Sequence, residues 1–88
     1  MQIYHILVQY EYEAQDLSKK IKNFEDFKSC AVKFSKCSSA KQGGLLGPFK
    51  PGRFVENFEE ACDLLKENQI SKPVRTQFGW HLIYKTKD

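Results

Sequence analysis

The two segments of this chain best suited to β structure lie at its opposite ends. Ile3-Tyr4-His5-Ile6-Leu7-Val8 and Phe78-Gly79-Trp80-His81-Leu82-Ile83-Tyr84 are rich in β-branched and aromatic residues, and each is interrupted by one histidine. As the most strongly β-like stretches of the chain, they are expected to pair in the middle of a sheet. Side chains alternate across a strand, so Ile3, His5 and Leu7 share one face of the first, and Gly79, His81 and Ile83 share one face of the last. Both histidines therefore fall on faces that also carry core residues.

Between the ends the period changes. Tyr10, Ala14, Leu17, Ile21 and Phe24 step by four and three, a helical stripe with acids early (Glu11, Glu13, Asp16) and bases late (Lys19, Lys20, Lys22). Asn23 is expected to cap a second helix, with Asp26 three residues on and an apolar face of Phe27, Cys30, Ala31 and Phe34. Residues 35–44 are small and polar and predict a loop with room for one short helical turn. Leu45–Phe49 predicts a short extended segment broken by Gly47-Pro48, and Pro51-Gly52 a turn. Asn57 with Glu60 is expected to cap a third helix carrying Phe58, Ala61, Cys62 and Leu65 and ending near Asn68. Val74 falls in a short strand after Pro73. This order predicts a single α+β domain over residues 1–88, with a small sheet covered by helices.

A chain of 88 residues buries only around 60–65% of the surface its unfolded form exposes, so the seven Phe, four Tyr and one Trp must supply much of its core. Fourteen basic against eleven acidic residues give +3, with no concentrated basic segment, which argues against a nucleic-acid partner. Cys30, Cys37 and Cys62 form no C-x-x-C pair, so neither a zinc site nor a disulfide framework is expected, and no cofactor is implied. Free thiols, the absence of a signal-like N-terminus and the absence of a long apolar run predict a cytoplasmic protein with no membrane association. A monomer is the default expectation.

If the terminal strands are neighbours, His5 and His81 come within reach of each other. A buried polar group without a partner costs roughly 1–3 kcal/mol. A histidine pair in so small a core therefore suggests function, since an apolar pair would be more stable.

Four motifs stand in order along the chain: His5-Ile6-Leu7-Val8, Cys37-x-Ser39-x-Lys41-x-Gly43-Gly44-x-Leu46-Gly47, Gly52-x-Phe54-x-x-x-Phe58 and Thr76-Gln77-Phe78-Gly79-Trp80-His81. Together, from His5 to about Lys85, they resemble the parvulin-type peptidyl-prolyl cis/trans isomerases, most closely the single-domain bacterial parvulins. The resemblance implies a parvulin-like (FKBP-like) fold, a four-stranded antiparallel sheet surrounded by about three to four helices. It implies a site in which His5 and His81 match the family's paired histidines, Cys37 the Cys/Asp position beside them, and Thr76 the threonine that bonds one of them. Leu46, Phe54 and Phe58 match the apolar pocket for the substrate's proline ring, and Phe78 its rim. Many relatives have Met at the position of Phe54 and Asp at that of Leu45. Its partners would be proline-containing peptides and unfolded or partly folded proteins.

Each residue also has a plainer reading. Phe54 and Phe58 are spaced as core residues at a helix start, Cys37 as a small hydrophobe, and Thr76 as an ordinary strand residue. Phosphoserine-directed relatives carry a basic cluster soon after the first strand. Here Gln9-Tyr10-Glu11-Tyr12-Glu13 is acidic and would repel a dianion, which predicts no phosphate requirement and an undemanding or apolar residue before proline. A peptide-binding chaperone module with the same pocket but without catalysis is the alternative.

Overall fold

The computed structural model describes residues 1–50 and 52–87, so Pro51 of the expected Pro51-Gly52 turn lies outside the described residues. In chain order the elements are β1 (Gln2–Val8), α1 (Glu11–Lys20), α2 (Phe24–Phe34), a short 3-10 turn (Ser38–Gln42), β2 (Leu45–Pro48), α3 (Glu56–Leu64), β3 (Gln69–Ile70), β4 (Val74–Thr76) and β5 (Gly79–Lys85). The sheet runs β2-β1-β5-β3, with β4 also paired to β5, and every pairing is antiparallel. The terminal strands do lie side by side in its middle. The sheet has five strands where four were expected, because two-residue β3 is too short to show a period of its own.

The β1–β5 register places Leu7 opposite His81 and His5 opposite Ile83. One face of the central pair therefore carries Tyr4, Ile6, Val8, Trp80, Leu82 and Tyr84. It packs on Ala14 and Leu17 of α1 and on Phe27 and Ala31 of α2. The other face carries Ile3, His5, Leu7, His81, Ile83 and Lys85, and here Ile3 and Ile83 pack on Phe58 and Cys62 of α3. Two thin cores thus share one sheet, and the histidines belong to the α3 side.

The helix ends follow local chemistry. The Glu13 carboxylate accepts from the Tyr10 N–H (3.1 Å) and opens α1. Tyr10 itself is half exposed, so the apolar stripe begins at Ala14 and not at Tyr10. Asn23 Oδ1 accepts from the Asp26 N–H (2.8 Å), the cap expected for α2. Phe34 is 48% exposed, so the apolar face of that helix stops at Ala31. α3 departs from expectation: Val55 is its N-cap, not Asn57, whose side-chain amide donates across to the Arg75 carbonyl (3.4 Å). It also ends at Leu64 rather than near Asn68. No glycine closes it. Instead the buried Lys85 reaches over from β5 and its Nζ donates to the carbonyls of Cys62 (3.0 Å) and Leu65 (3.2 Å), a cation at the negative end of the helix. That anchor fixes α3, and Phe58 with it, against the histidine face. Among the described residues no helix is long and apolar enough to cross a membrane.

Candidate functional site

His5 and His81 come from neighbouring strands and are each only 4% exposed. Their rings stack at 5.1 Å between centroids, with Nδ1 to Nδ1 at 3.0 Å. Thr76, from β4, completes a chain: its Oγ1 lies 2.7 Å from His81 Nε2 and accepts from the Phe78 N–H at 3.2 Å. Burial pulls both histidines down to about 4, helped for His5 by the neighbouring His81, so both rings are neutral at pH 7.

Neutral rings constrain the protons. Thr76 accepts from the Phe78 amide, which leaves its own hydroxyl proton for His81 Nε2. His81 Nδ1–H then donates to His5 Nδ1, and the remaining His5 proton sits on Nε2, a buried nitrogen with no partner among the described residues. The opposite direction strands two groups, the threonine proton and His5 Nε2, so the first satisfies one more. Rings that are neutral and buried make poor acid–base catalysts near pH 7. They make a rigid dipolar floor.

Cys37 sits on the short loop after α2, where the Ser35 hydroxyl ties the loop to the first strand. Ser35 Oγ accepts from the Leu7 N–H (3.0 Å) and the Cys37 N–H (3.4 Å), while the Lys36 N–H donates to the Leu7 carbonyl (2.8 Å). Burial raises the Cys37 thiol, but the hydroxyls and amides of Ser39 and Ser38 that face it outweigh burial, and the net shift is downward. Among the described residues no hydrogen bond joins this thiol to either histidine, so the hydrogen-bonded chain is His5–His81–Thr76, with Cys37 beside it. Gly44 closes the same loop. It is left-handed at φ +90°, its carbonyl accepts from the His5 N–H (2.9 Å), and a Cβ placed on it would meet the His5 carbonyl oxygen.

Above this floor opens a cleft of about 420 Å³ lined by His5, Leu7, Cys37, Leu46, Arg53, Phe54, Val55, Phe58, Phe78 and His81. All eight residues expected at the site lie in or beside it, with Thr76 behind His81 rather than on the wall. Phe58 is 3% exposed and joins wall to floor, edge-on to His5 (5.7 Å) and to His81 (5.2 Å) and tilted against Phe54 (5.1 Å). Leu46 is the extra residue of a β-bulge, since Ile3 pairs with Gly47 and Tyr4 with Leu45. Phe78 is 62% exposed, on the rim. A second cavity of about the same volume lies against α3, but Glu56, Glu59, Glu60 and Asp63 line it, and a neutral proline ring offers nothing for four carboxylates to pair with.

Sequence reasoning missed Ser35, Leu7, Val55 and Arg53. The first two were read as loop and core, and only the fold brings Val55 and Arg53 to the wall.

A family model described as Rotamase, PPIC-type PPIASE domain, matches residues 5–87. The chain is 44% identical over 85 residues to the foldase protein PrsA of Bacillus subtilis, covering 96% of this chain and 29% of that protein. It is 53% identical over 68 residues to the chaperone SurA of Methylococcus capsulatus, covering 76% of this chain and 15% of that one. The solution structure of NmPin, the parvulin of Nitrosopumilus maritimus, superposes with a TM-score of 0.87 at 37% identity, covering 98% of this chain and 94% of that one. The crystal structure of PrsA from Bacillus subtilis gives 0.91 at 42% identity, covering 100% and 35% respectively. The chain thus spans less than a third of the length of these foldase and chaperone relatives.

Proposed function

The chain belongs to the PPIC-type peptidyl-prolyl cis/trans isomerase, or parvulin, family, and from that premise we propose that the cleft over His5 and His81 accelerates rotation of X–Pro bonds in peptides and in unfolded or partly folded proteins. Rotation faces a barrier of about 18–20 kcal/mol because resonance stiffens the C–N bond. No bond breaks, so the site needs only to bind the twisted amide better than either planar form. Leu46, Phe54 and Phe58 offer an apolar, water-poor seat for the proline ring, which favours the less polar, resonance-broken amide. The neutral His5–His81–Thr76 chain beneath supplies fixed dipoles. Cys37 tunes that field and forms no covalent intermediate, since rotation leaves no group to transfer. The observation that carries the reading is an apolar pocket built directly on two neutral, hydrogen-bonded histidines.

The same proposal leaves phosphate out. α1 begins three residues after Val8 with Glu11 and Glu13 in its first turn, so the stretch where phosphoserine-directed relatives carry their basic cluster, taken here to face the residue before proline, is acidic. In a proline isomerisation assay, a Leu-Pro peptide is expected to turn over at least as fast as its phosphoserine-Pro counterpart. Faster turnover of the phosphorylated peptide would overturn this. We further propose a monomer in a reducing compartment such as the cytoplasm, which the three free cysteines support.

The relatives' printed names, foldase and chaperone, favour one second reading, a client-binding module that uses the cleft without catalysis. Peptide binding without acceleration is its signature.

A further inference from the structure

Arg53 lines the cleft, yet nothing in the proline pocket itself calls for a cation. Its guanidinium is held in a built seat. Nη2 donates to the Leu46 carbonyl (3.1 Å) and Nη1 to the Pro48 carbonyl (3.4 Å). It lies 5.9 Å from the centre of the Phe54 ring. It also rests against Gly47, at φ +109°, where a Cβ would stand 3.3 Å from Nη1 and 3.5 Å from Nη2. A bare α-carbon, two carbonyls and an aromatic ring thus fix the planar fork without neutralising it.

Among the described residues no carboxylate lies within ion-pair distance of Arg53. Glu59 of α3 accepts from the N–H of Gly52, the residue before Arg53 (2.7 Å). His5 and His81 are neutral, so Arg53 is the standing charge of the cleft wall. Two of its five donors are occupied, and the others are free for a planar, bidentate acceptor.

Arg53 and the acidic stretch that follows β1 belong to opposite ends of that strand. Gly47, beside Arg53, pairs with Ile3, whereas Leu7 lies four residues further on, about 13 Å away, at the end that leads into Glu11 and Glu13. We propose that Arg53 is a specificity-determining residue that reads a carboxylate on the residue following proline. This rests on the isomerase reading, which puts the residue before proline at the acidic end.

The test compares kcat/KM for three otherwise identical peptides, Leu-Pro-Leu, Leu-Pro-Glu and Glu-Pro-Leu, in the parent and in Arg53→Gln. A partly exposed ion pair is expected to favour Leu-Pro-Glu about fivefold in the parent, with the preference shrinking at high salt and reduced to about one in the variant. The readout is the ratio between peptides, which a general loss of folding would not change. No preference, a preference confined to Glu-Pro-Leu, or one that survives Arg53→Gln overturns the assignment. If Leu-Pro-Leu is not turned over at all, the isomerase reading has failed instead. The same ratio taken from binding titrations of the three peptides then decides the Arg53 assignment alone.

Discussion

Replacing Phe58 by alanine is expected to lower kcat/KM for a proline peptide by about a hundredfold or more and to destabilise the fold by about 3–5 kcal/mol. The two losses share one cause. Phe58 is a fully packed member of the α3-side core, with Ile3, Cys62 and Ile83, and it is also the wall that meets both histidines edge-on and backs Phe54. Its removal opens the floor of the proline pocket to water and frees the His5 and His81 rings to tilt. A small domain typically has only 5–15 kcal/mol of stability to lose, so alanine is expected to leave little folded protein at 37 °C; Phe58→Leu separates the effects. Leucine keeps an apolar side chain of reduced size, and the fold should survive while kcat/KM still falls about tenfold, because the ring that contacts both imidazoles is gone. Thermal melts beside the assay make the distinction. A folded Phe58→Leu protein with parental activity would show that the pocket lies elsewhere.

The second large effect is on stability against pH. Both histidines are held near 4 in the folded chain, whereas in the unfolded chain they titrate near 6.5. Between those values the unfolded state binds more protons than the folded state, so acid favours unfolding. The stabilisation from neutral burial is fully present above about pH 6.5, declines as pH falls, and is lost once pH passes about 4. A fall from 6.5 to about 4 corresponds to roughly 3 kcal/mol for one ring. The two rings touch, so their losses are coupled rather than separate. Denaturant titrations should give a flat plateau at pH 7–8 and a fall of several kcal/mol by pH 4. A His5→Leu/His81→Leu double variant should lose most of that slope and be no less stable at pH 7, because an apolar pair needs no partners. An unchanged slope in the double variant would assign the acid sensitivity to the carboxylates.

Much of this site was readable before any coordinates. The end strands announced themselves by β-branched and aromatic density, and alternation placed His5 and His81 on faces that meet once those strands pair. Asn23 and Asp26 marked the start of α2 through short-range chemistry that needs no tertiary help. What escaped depends on long-range placement. β3 exists because Gln69 and Ile70 find the edge of β5, not because two residues prefer β structure. The cap of α3 lies at Val55, a residue with no capping side chain, and Asn57 is drawn away to the Arg75 carbonyl. Arg53 and Ser35 gain their roles from carbonyls and amides supplied by β1 and β2, which no local pattern encodes. Cys37 lines the cleft, but the groups that face its thiol are the serines of its own loop rather than the histidines.

The central claim is that the cleft catalyses rotation through an apolar seat over a neutral histidine floor, with no covalent step. The most direct measurement is proline isomerisation in a short Leu-Pro peptide, followed in a protease-coupled assay for the parent and for Cys37→Asp, with peptide binding measured alongside. The account predicts acceleration by the parent and retention of a substantial part of it, at least a tenth, by Cys37→Asp, which has no thiolate to attack. Binding without acceleration by the parent, or complete loss of acceleration in a folded, peptide-binding Cys37→Asp protein, would contradict it.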